Sequence, residues 1–403
     1  MPVAQGQLKK LSYKKQSGLG VAASGAGGQY LRRETASFNL KKDTFNSNEI
    51  TTHQQYTGDT YGVSKTEGSL DNVLSVGTYK DFMASTVRKD FAVVAALTGL
   101  SLTIAGAGPF TLTRAAGDYL AAGVKVGHVV RITAGTYTGI ARDLNLIVTG
   151  VTATVLTVIV GNSKVLAAQG PIAASTISVI GKTTIAPTSA HTNDYYTFEE
   201  FYSDLTLSRL YTDVQIGSAD ISIPATGNAT IKLAFMGLGR TKGGAQVLTS
   251  PTAETVTSIE TASNGTILLA GARISTGTSL NLKIENGLTY GEAVIGSRSI
   301  SDTVKGTIKA SGTVTAIHDS ETTSNYFDNE TAISLIAILF VDNSDTADFT
   351  AFVVPRAKLF SDDIDDGKKQ LVASYAFTGE INASGGAALA NDQTVIGIQD
   401  SQA

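Results

Sequence analysis

The feature that constrains this chain most is an internal repeat spread over much of its length. The alternating hexamer SFNLKK at 37–42 returns as SLNLKI at 279–284. Three further segments follow the first copy and reappear after the second in the same order. They are GVSKTEGSL with VKGTIKASGTV, TYKDFM with SNYFDN, and VQIGSADISIPATGNATIKLAF with RAKLFSDDIDDGKKQLVASYAF. The preserved order indicates a tandem duplication; chance matching of Ser- and Thr-rich strands is the alternative explanation.

Within each copy, apolar and polar residues alternate, which is typical of β-strands with one buried face. Charged residues make up 16% of the chain, below the usual value of about 25%. The 41 glycines suit a fold with many turns. We therefore predict a mainly β protein.

Each copy also contains a stretch that breaks the alternation. In 75–91, Tyr79, Phe82 and Val87 recur at helical spacing, which predicts a short amphipathic helix lying on a sheet. Thr78 is a candidate for its N-terminal cap. The corresponding segment SNYFDN predicts a second short helix.

Residues 95–188 differ from the rest of the chain in charge. They hold six basic and two acidic residues, a balance of +4, so the remainder carries −8 to give the total of −4. Six short strand candidates follow one another here: SLTIAG, FTLTR, HVVRIT, LNLIVTGV, TVLTVIV and TISVIG. They predict a small closed β-barrel or sandwich, inserted in a surface loop of the first copy and projecting outward.

The repeat and the composition together predict six segments. These are a flexible N-terminal arm at 1–28, a first module at 29–94 and 189–239, the inserted β-domain at 95–188, a linker at 240–271, a second module at 272–382 and a C-terminal tail at 383–403. The arm is rich in Lys, Gly and Ser, so we expect it to be mobile and able to order against a neighbouring subunit.

The sequence predicts no catalytic, cofactor-binding or metal-binding residues. There is no cysteine, which excludes disulfides and thiol chemistry. Four histidines are far apart in the sequence: His53, His128, His191 and His318. Glu199, Glu200 and Asp204 could serve as a general acid and base, but the aromatic residues around them favour the polar face of a helix.

Two further motifs are set aside on spacing. The acidic run before Gly367 lacks a calcium-loop pattern, because Ile364 and Ala373 stand where oxygen ligands are needed. The longest strongly apolar run, 333–341, is shorter than the roughly 20 residues of a membrane span. The lysine-rich N-terminus has no apolar core after its charges, so we expect no secretory signal.

Several longer stretches resemble one protein family. They are YLRRETASFNLKKDTFNSNEI, GSLDNVLSVGTYKDFM with the following RKDF, TFEEFYSDLTLSRLYTDVQIGSADISIPATGNATIKLAFMG, LKIENGLTYGEAVIGSRSISD and VVPRAKLFSDDIDDGKKQLVASYAF. Together they are similar to the tail tube (major tail) proteins of siphovirus-type bacteriophages, which have long non-contractile tails. The resemblance covers most of 30–382, and 114–158 resembles an accessory β-domain of some members.

The resemblance implies a structural virion protein and not an enzyme. It implies duplicated tail-tube β-sandwich or barrel modules, each with a flanking short helix, whose strands join those of neighbouring copies in an inner β-barrel. Stacked rings would form the hollow tube through which the genome is delivered. Since six tube domains per ring are usual in the family, we expect homotrimeric rings with pseudo-sixfold symmetry. The alternative is a homohexameric ring with the second module as exterior decoration.

The resemblance also implies partners and a location. We expect self-assembly, a tape measure protein inside the lumen, and tail terminator and tail tip proteins. DNA is expected to pass through the lumen without specific binding, and no membrane contact is expected. The expected location is the virion tail, after assembly in the host cytoplasm.

The charge outside the insert predicts an acidic lumen. A balance of −8 fits a wall that repels DNA phosphate, whereas Lys or Arg contacts would retard passage. The acidic residues considered for this wall are Asp43, Glu49, Glu67, Asp71 and Glu285. Different interpretations are a surface-exposed adhesive or carbohydrate-binding β-protein, and a hydrolase on a β-scaffold.

Overall fold

The computed structural model describes residues 5–365 and 370–403. The elements before the insert are β1 Lys9–Lys15, β2 Gln29–Tyr30, β3 Thr35–Asn46, β4 Asp59–Val73 and α1 Lys80–Val87. Those of the insert region are β5 Leu97–Ala105, β6 Phe110–Arg114, β7 Val129–Ala134, β8 Leu146–Val151, β9 Val155–Val160 and β10 Gln169–Val179. The following strands are β11 Lys182–Ile185, β12 Tyr196–Tyr202, β13 Leu207–Pro224, β14 Thr230–Gly237 and β15 Gly239–Gly243.

The second half of the chain is built in the same style. Its elements are β16 Thr266–Leu269, β17 Ala272–Arg273, β18 Gly277–Glu285, β19 Thr289–Tyr290, β20 Thr303–Val304, β21 Lys309–Ile317, α2 Thr322–Asp328, β22 Ile333–Phe340, β23 Phe349–Leu359, β24 Asp363–Asp365, β25 Val372–Gly379 and β26 Gly397–Asp400. The prediction of a mainly β fold with short helices is confirmed.

Eight strands form one continuous antiparallel sheet, in the order β3, β4, β14, β13, β18, β21, β25, β24. Because side chains alternate along each strand, one face of this sheet is apolar and the other is polar. The apolar face is buried under a second layer of strands and includes Phe38, Leu70, Leu233, Ile221, Leu282, Val314 and Phe377. The polar face is left open to water, as antiparallel sheets allow.

The two halves of the chain have the same connectivity. The first runs through β3, β4, α1, β12, β13 and β14, and the second through β18, β21, α2, β22, β23 and β25. In the first half, β3 pairs with β4, β4 with β14, β14 with β13, and β13 with β12. In the second half, β18 pairs with β21, β21 with β25, β25 with β23, and β23 with β22. Matching connectivity supports the duplication predicted from the repeat.

A glycine opposite a phenylalanine marks the same point in both copies. Gly68 lies opposite Phe235, and Gly312 lies opposite Phe377. A Cβ at Gly312 would overlap the Asn281 carbonyl oxygen and lie 2.8 Å from the Phe377 ring, and one at Gly68 would lie 2.6 Å from the Phe38 ring. Both positions therefore need glycine, because backbone or ring atoms occupy the space of a side chain.

These glycines show that the repeated hexamer is displaced by two residues. Ser37 pairs with Ser69, one residue after the first glycine, whereas Ser279 pairs with Thr315, three residues after the second. The repeat therefore identifies the right strands but not the right register. An even displacement keeps every side chain on its own face of the sheet, so the amphipathic pattern survives it.

Helix α1 confirms the helical prediction but not its cap. Phe82 and Val87 are fully buried between the two layers of the first module. The hydroxyl of Thr78 does not cap the helix; it lies 2.7 Å from the Thr255 hydroxyl on the segment that joins the two modules. The second helix, α2, lies where the sequence predicts it and buries Ser324.

The prediction of a flexible arm over 1–28 is wrong for Lys9–Lys15. This stretch is strand β1, which pairs with β12 over seven residues and buries Leu11 and Tyr13. The lysines around these two side chains hide the alternation in the sequence. Residues 1–4 lie outside the described residues.

The inserted region contains the closed barrel that the sequence predicts, in the strand order β10, β5, β6, β9, β8, β7. It has its own core of Leu, Ile and Val side chains. It does not simply project outward, since Val129 and Ile147 on its outer face pack against Ile336, Ile338 and Phe340 of β22. This contact explains the apolar run at 333–341: β22 is covered on both faces.

The C-terminal segment belongs to the fold and is not a loose tail. Strand β26 pairs with both β11 and β23. The Gln399 side chain accepts a hydrogen bond from the Val129 amide at 2.8 Å and donates one to the Val129 carbonyl at 3.0 Å. Residues 182–185, within the predicted insert, therefore belong to strand β11, which lies beside β26 and β23 in the second layer and not in the barrel. The predicted linker similarly contains two strands, β15 and β16.

The contact between the barrel and β22 should contribute strongly to stability. Phe349 is 0% exposed in this contact, whereas Phe360 is 60% exposed. We expect Phe349→Ala to lower the free energy of unfolding by about 3–5 kcal/mol, because it leaves a cavity. Phe360→Ala, the matched control, should change it by less than about 0.5 kcal/mol. Urea denaturation checks both, and equal effects would contradict the packing.

Candidate functional site: the open strand edges and the polar face

A seam inside the chain joins the two modules. The C-terminal half of β13 pairs with β18 over seven residues, from Ser218 opposite Glu285 to Pro224 opposite Ser279. The Ser222 hydroxyl donates to the Asn281 side-chain oxygen across this seam at 2.7 Å. The seam therefore converts two four-stranded sheets into one sheet of eight.

One end of the eight-stranded sheet is β3. Among the described residues, β3 pairs with β4 on one side and with no strand on the other. Two carbonyl groups of β3 accept side-chain hydrogen bonds instead: Ala36 from the Lys9 ammonium at 3.2 Å and Phe38 from the Tyr211 hydroxyl at 2.9 Å. Edge strands of this kind can add a further strand.

The other end of the sheet is β24. Within the described part of the chain, it pairs with β25 alone. Its three residues, Asp363, Ile364 and Asp365, are exposed, and Ile364 is 45% exposed on the apolar side of the sheet. An exposed apolar residue at a strand edge is the kind of feature that a further strand would cover.

The two open edges are the counterparts of the two strands of the seam. Asp363 lies opposite Ser374, five residues before Gly379, and Asp220 lies opposite Lys232, five residues before Gly237. β24 therefore occupies the position of the C-terminal half of β13. β3 likewise corresponds to β18, because each pairs with the strand that carries the landmark glycine.

Glu200 lies beneath the open edge of β3. It is 3% exposed, and its carboxylate contacts the Lys9 ammonium at 2.7 Å and the Tyr211 hydroxyl at 3.1 Å. These are the two groups that hydrogen-bond to the carbonyls of the edge. Burial and the Glu200 carboxylate raise the pKa of Tyr211 to about 12, so its hydroxyl keeps its proton at neutral pH.

The helix predicted around Glu199 and Glu200 is wrong. Both lie on strand β12, in which Tyr196 and Phe198 are buried and the two glutamates beside them are buried as well. Glu199 accepts hydrogen bonds from the Ser208 hydroxyl at 2.5 Å and from the amides of Val247 and Leu248 at 2.7 and 2.8 Å. Its carboxylate therefore fixes the 244–250 segment against the sheet.

The acidic residues considered for a lumen wall lie on or beside the polar face, but they are paired with lysines. Glu67 contacts Lys41, and Glu285 contacts Lys283. Asp71 lies 3.9 Å from Lys232, and Asp43 lies 3.5 Å from Lys65. Glu49 lies instead in the connection between β3 and β4. The polar face is therefore not the acidic surface that the net charge predicts.

Large apolar side chains are exposed in two equivalent connections at one end of the sheet. The β3–β4 connection exposes Ile50 and Tyr56, with Phe45 and Tyr61 exposed on the adjoining strand ends, and the β18–β21 connection exposes Val294, Ile295 and Val304. The β18–β21 connection contacts strand β4, since the Ser64 amide donates to the Arg298 carbonyl at 2.9 Å. Clustered exposed apolar residues mark a surface for contact with another molecule.

The other residues considered for catalysis or metal binding do not form a site in the described part of the chain. No group of three or more His, Asp or Glu residues within 5–365 and 370–403 is arranged to hold a metal ion. His128 is buried, and burial lowers its pKa to about 4. The acidic turn of the sequence lies partly in β24, and its Asp366 and Gly367 are outside the described residues. In the described part of the chain, no helix is long and apolar enough to cross a membrane.

A buried carboxyl group lies where the two modules meet. Glu260 is 0% exposed, and its backbone bridges Leu74 and Ala229 of the first module at 3.0 Å each. Its side chain faces Thr350 of the second module and Asp400 of β26, with Asp348 nearby. Burial raises the pKa of Glu260 well above its usual value, because a charged carboxylate is disfavoured away from water.

Comparison with known proteins adds one finding to this geometry. Residues 6–379 match a family described as phage tail tube protein. No curated protein matches the chain.

The buried Glu260 predicts a specific dependence of stability on pH. Below its ordinary pKa the group is protonated in both the folded and the unfolded chain, so it contributes no difference. As pH rises, only the unfolded chain ionises, and the folded state loses stability until the raised pKa is reached. Glu260→Gln removes this loss. We expect the variant to gain stability over the natural chain as pH rises from 4 to 8.

Urea denaturation at several pH values between 4 and 8 checks this prediction. Glu254→Gln, at an exposed position, is the matched control and should give a curve parallel to that of the natural chain. A parallel curve for Glu260→Gln as well would show that the buried carboxyl does not resist ionisation.

Proposed function

The chain belongs to the phage tail tube protein family, and on this premise we propose that it polymerises as stacked rings into the hollow tail tube that conducts the phage genome. It is a structural protein of the tail. The observation that carries the proposal is the internal seam, whose two strands have counterparts at the open ends of the same sheet.

Ring closure follows if the open edges of neighbouring copies pair as the seam does. In the seam, Asp220 lies opposite Lys283. The counterpart of Asp220 is Asp363, and the counterpart of Lys283 is Asn39, the residue that pairs one position before Gly68. Pairing of β24 with β3 of the next copy would therefore place Asp363 opposite Asn39.

This register also suits the side chains on both faces. It places the exposed Ile364 opposite Phe38 of the next copy, which extends the apolar face without a gap. It places Lys41 as a diagonal neighbour of Asp363 on the polar face, at a distance where opposite charges attract. Each edge gains backbone hydrogen bonds that it lacks alone, which favours a closed ring over an open sheet.

The number of copies follows from the modules. The second module contributes β18, β21, β25 and β24 to the same sheet as the first, so it is poorly placed to be an exterior decoration. With six tube modules in a ring, three copies would close it with pseudo-sixfold symmetry. We propose that residues 29–94 with 189–239 form the first of these modules and residues 272–382 the second.

Stacking of the rings would use the exposed apolar side chains of the β3–β4 and β18–β21 connections. They lie at one end of the sheet, so contact with the opposite end of another ring is head-to-tail. Such contacts do not close on themselves and extend into a filament. The polar face then lines the lumen, and the barrel, on the far side of the second layer, lies outside.

The remaining expectations are part of the same proposal. The partners are further copies of the chain, a tape measure protein in the lumen, and terminator and tip proteins at the tube ends. The role is not enzymatic, and DNA passes without specific binding. The protein assembles in the host cytoplasm and resides in the virion tail.

Cysteine cross-linking tests the ring and its register, because the natural chain has no cysteine. We expect Asn39→Cys/Asp363→Cys to form disulfides between copies in tubes, since the two Cβ atoms would be close enough for an S–S bond. Under denaturing electrophoresis the ladder should end at three chains. The matched control, Thr35→Cys/Asp363→Cys, places the thiols about 13 Å apart along the strand and should not cross-link.

Negative-stain microscopy of the same samples shows whether hollow tubes form. Tubes without cross-links in the first variant would contradict the proposed register. A ladder that continues beyond three chains would contradict the trimeric ring.

A further inference from the structure

Charges of both signs alternate across the polar face at the seam. Four residues at neighbouring register positions on β4, β14, β13 and β18 form a transverse row: Asp71, Lys232, Asp220 and Lys283. Directly opposite residues on adjacent strands lie about 5 Å apart at Cβ, so each charge in the row has an opposite charge beside it. We call this row the charge ladder.

The charges near the ladder are also paired. Glu67 contacts Lys41 and Glu285 contacts Lys283, both through direct carboxylate–ammonium contacts. Lys65 lies 3.5 Å from Asp43. The other residues on this face are mostly Ser, Thr, Asn and Ala, including Ser69, Ser218, Asn281, Ser311 and Thr313. The surface therefore combines neutral polar groups with compensated charges.

The ladder lines a groove and is not a flat patch. The groove has a volume of about 510 Å³, and its lining includes the four ladder residues, a further carboxylate at Glu34, and Ser222 and Asn281. It follows the seam, where the sheet is concave on its polar side. A concave wall exposes a passing polymer to the ladder from more than one strand at once.

The pairing of opposite charges reduces the electrostatic force that this surface exerts on a polyanion. Free lysines would bind phosphates and release counterions, which holds DNA in place. Free carboxylates would repel it over about one Debye length, roughly 8 Å at physiological salt. Alternating charges cancel at that distance, so the wall exerts neither force strongly.

We propose that the polar face is a charge-compensated wall that lets a polyanion slide past, with the acids of the ladder masking lysines that would otherwise bind phosphate. This inference rests on the proposed function for the identity of the passing polymer, duplex DNA. It replaces the acidic, repelling wall that the net charge of the chain predicts.

The test uses the full chain before assembly and a fluorescent DNA duplex, with binding measured by anisotropy at 50–200 mM salt. Asp71→Asn/Asp220→Asn removes both acids of the ladder without changing side-chain size, which frees Lys232 and leaves Lys283 with Glu285 alone. We expect it to bind duplex at least about tenfold more tightly than the natural chain at 50 mM salt, with a log–log salt dependence steeper by about one. Circular dichroism confirms that the variant is folded.

Two matched variants complete the design. Glu254→Gln/Glu321→Gln makes the same change in net charge at exposed positions away from the polar face and should leave binding unchanged. Lys232→Gln/Lys283→Gln removes the masked lysines and should bind no better than the natural chain. Equal gains in the ladder and control variants, or tight binding by the natural chain, would overturn the inference.

This outcome is separable from that of the ring proposal. The anisotropy assay needs no tubes, and the cross-linking assay needs no DNA. Tubes with the expected cross-links but no gain in binding for Asp71→Asn/Asp220→Asn would overturn the compensated wall alone.

Discussion

The backbone hydrogen bonds at the two ends of the eight-stranded sheet are the constraint on which the rest of the structure depends. Within the described residues, β3 and β24 each pair with one strand, while the six strands between them pair on both sides. The duplication makes these ends complementary, because one copy of the seam is already made inside the chain by β13 and β18. The same contact that joins the modules is the one that would join the chains. In a single chain, the Lys9 and Tyr211 side chains donate hydrogen bonds to two of the carbonyl groups of β3.

A second constraint is that strand β22 of the second layer must be covered on both of its faces. Strand β22 is apolar on both faces, so it needs a partner on the side away from the main sheet. The barrel supplies that partner although its strands are inserted in the first module, and the C-terminal strand β26 fastens the two together. Three basic residues of the insert also hold this arrangement: Lys125 donates to the Ala387 carbonyl at 2.9 Å, Arg131 to the Ala347 carbonyl at 3.1 Å, and Lys164 to Asp345 at 2.8 Å. The positive charge of the insert thus serves its attachment.

Much of the fold could be predicted from the sequence, because alternation and repeat order are local signals. They identified the β3–β4 pair, the β13–β14 hairpin, both helices and the barrel. Other features depend on contacts that local patterns do not contain. In β1, the lysines on either side of Leu11 and Tyr13 hide the alternating pattern. The residues around Glu199 show no periodicity that distinguishes a helix from a strand buried on both faces. Glu260 has no sequence signal at all. The charge ladder has a weak sequence signal, since Asp220, Lys232 and Lys283 each lie at a polar position of an alternating strand. Only the pairing of the strands places these residues side by side.

The central claim is that the internal seam is repeated between chains around a ring. Cryo-electron microscopy of the assembled tubes, at a resolution that separates strands, measures this directly. The account predicts three chains in each ring, an inner wall to which each chain contributes eight strands, and β24 of one chain hydrogen-bonded to β3 of the next. A ring of six chains whose inner wall contains the strands of the first module only would contradict it.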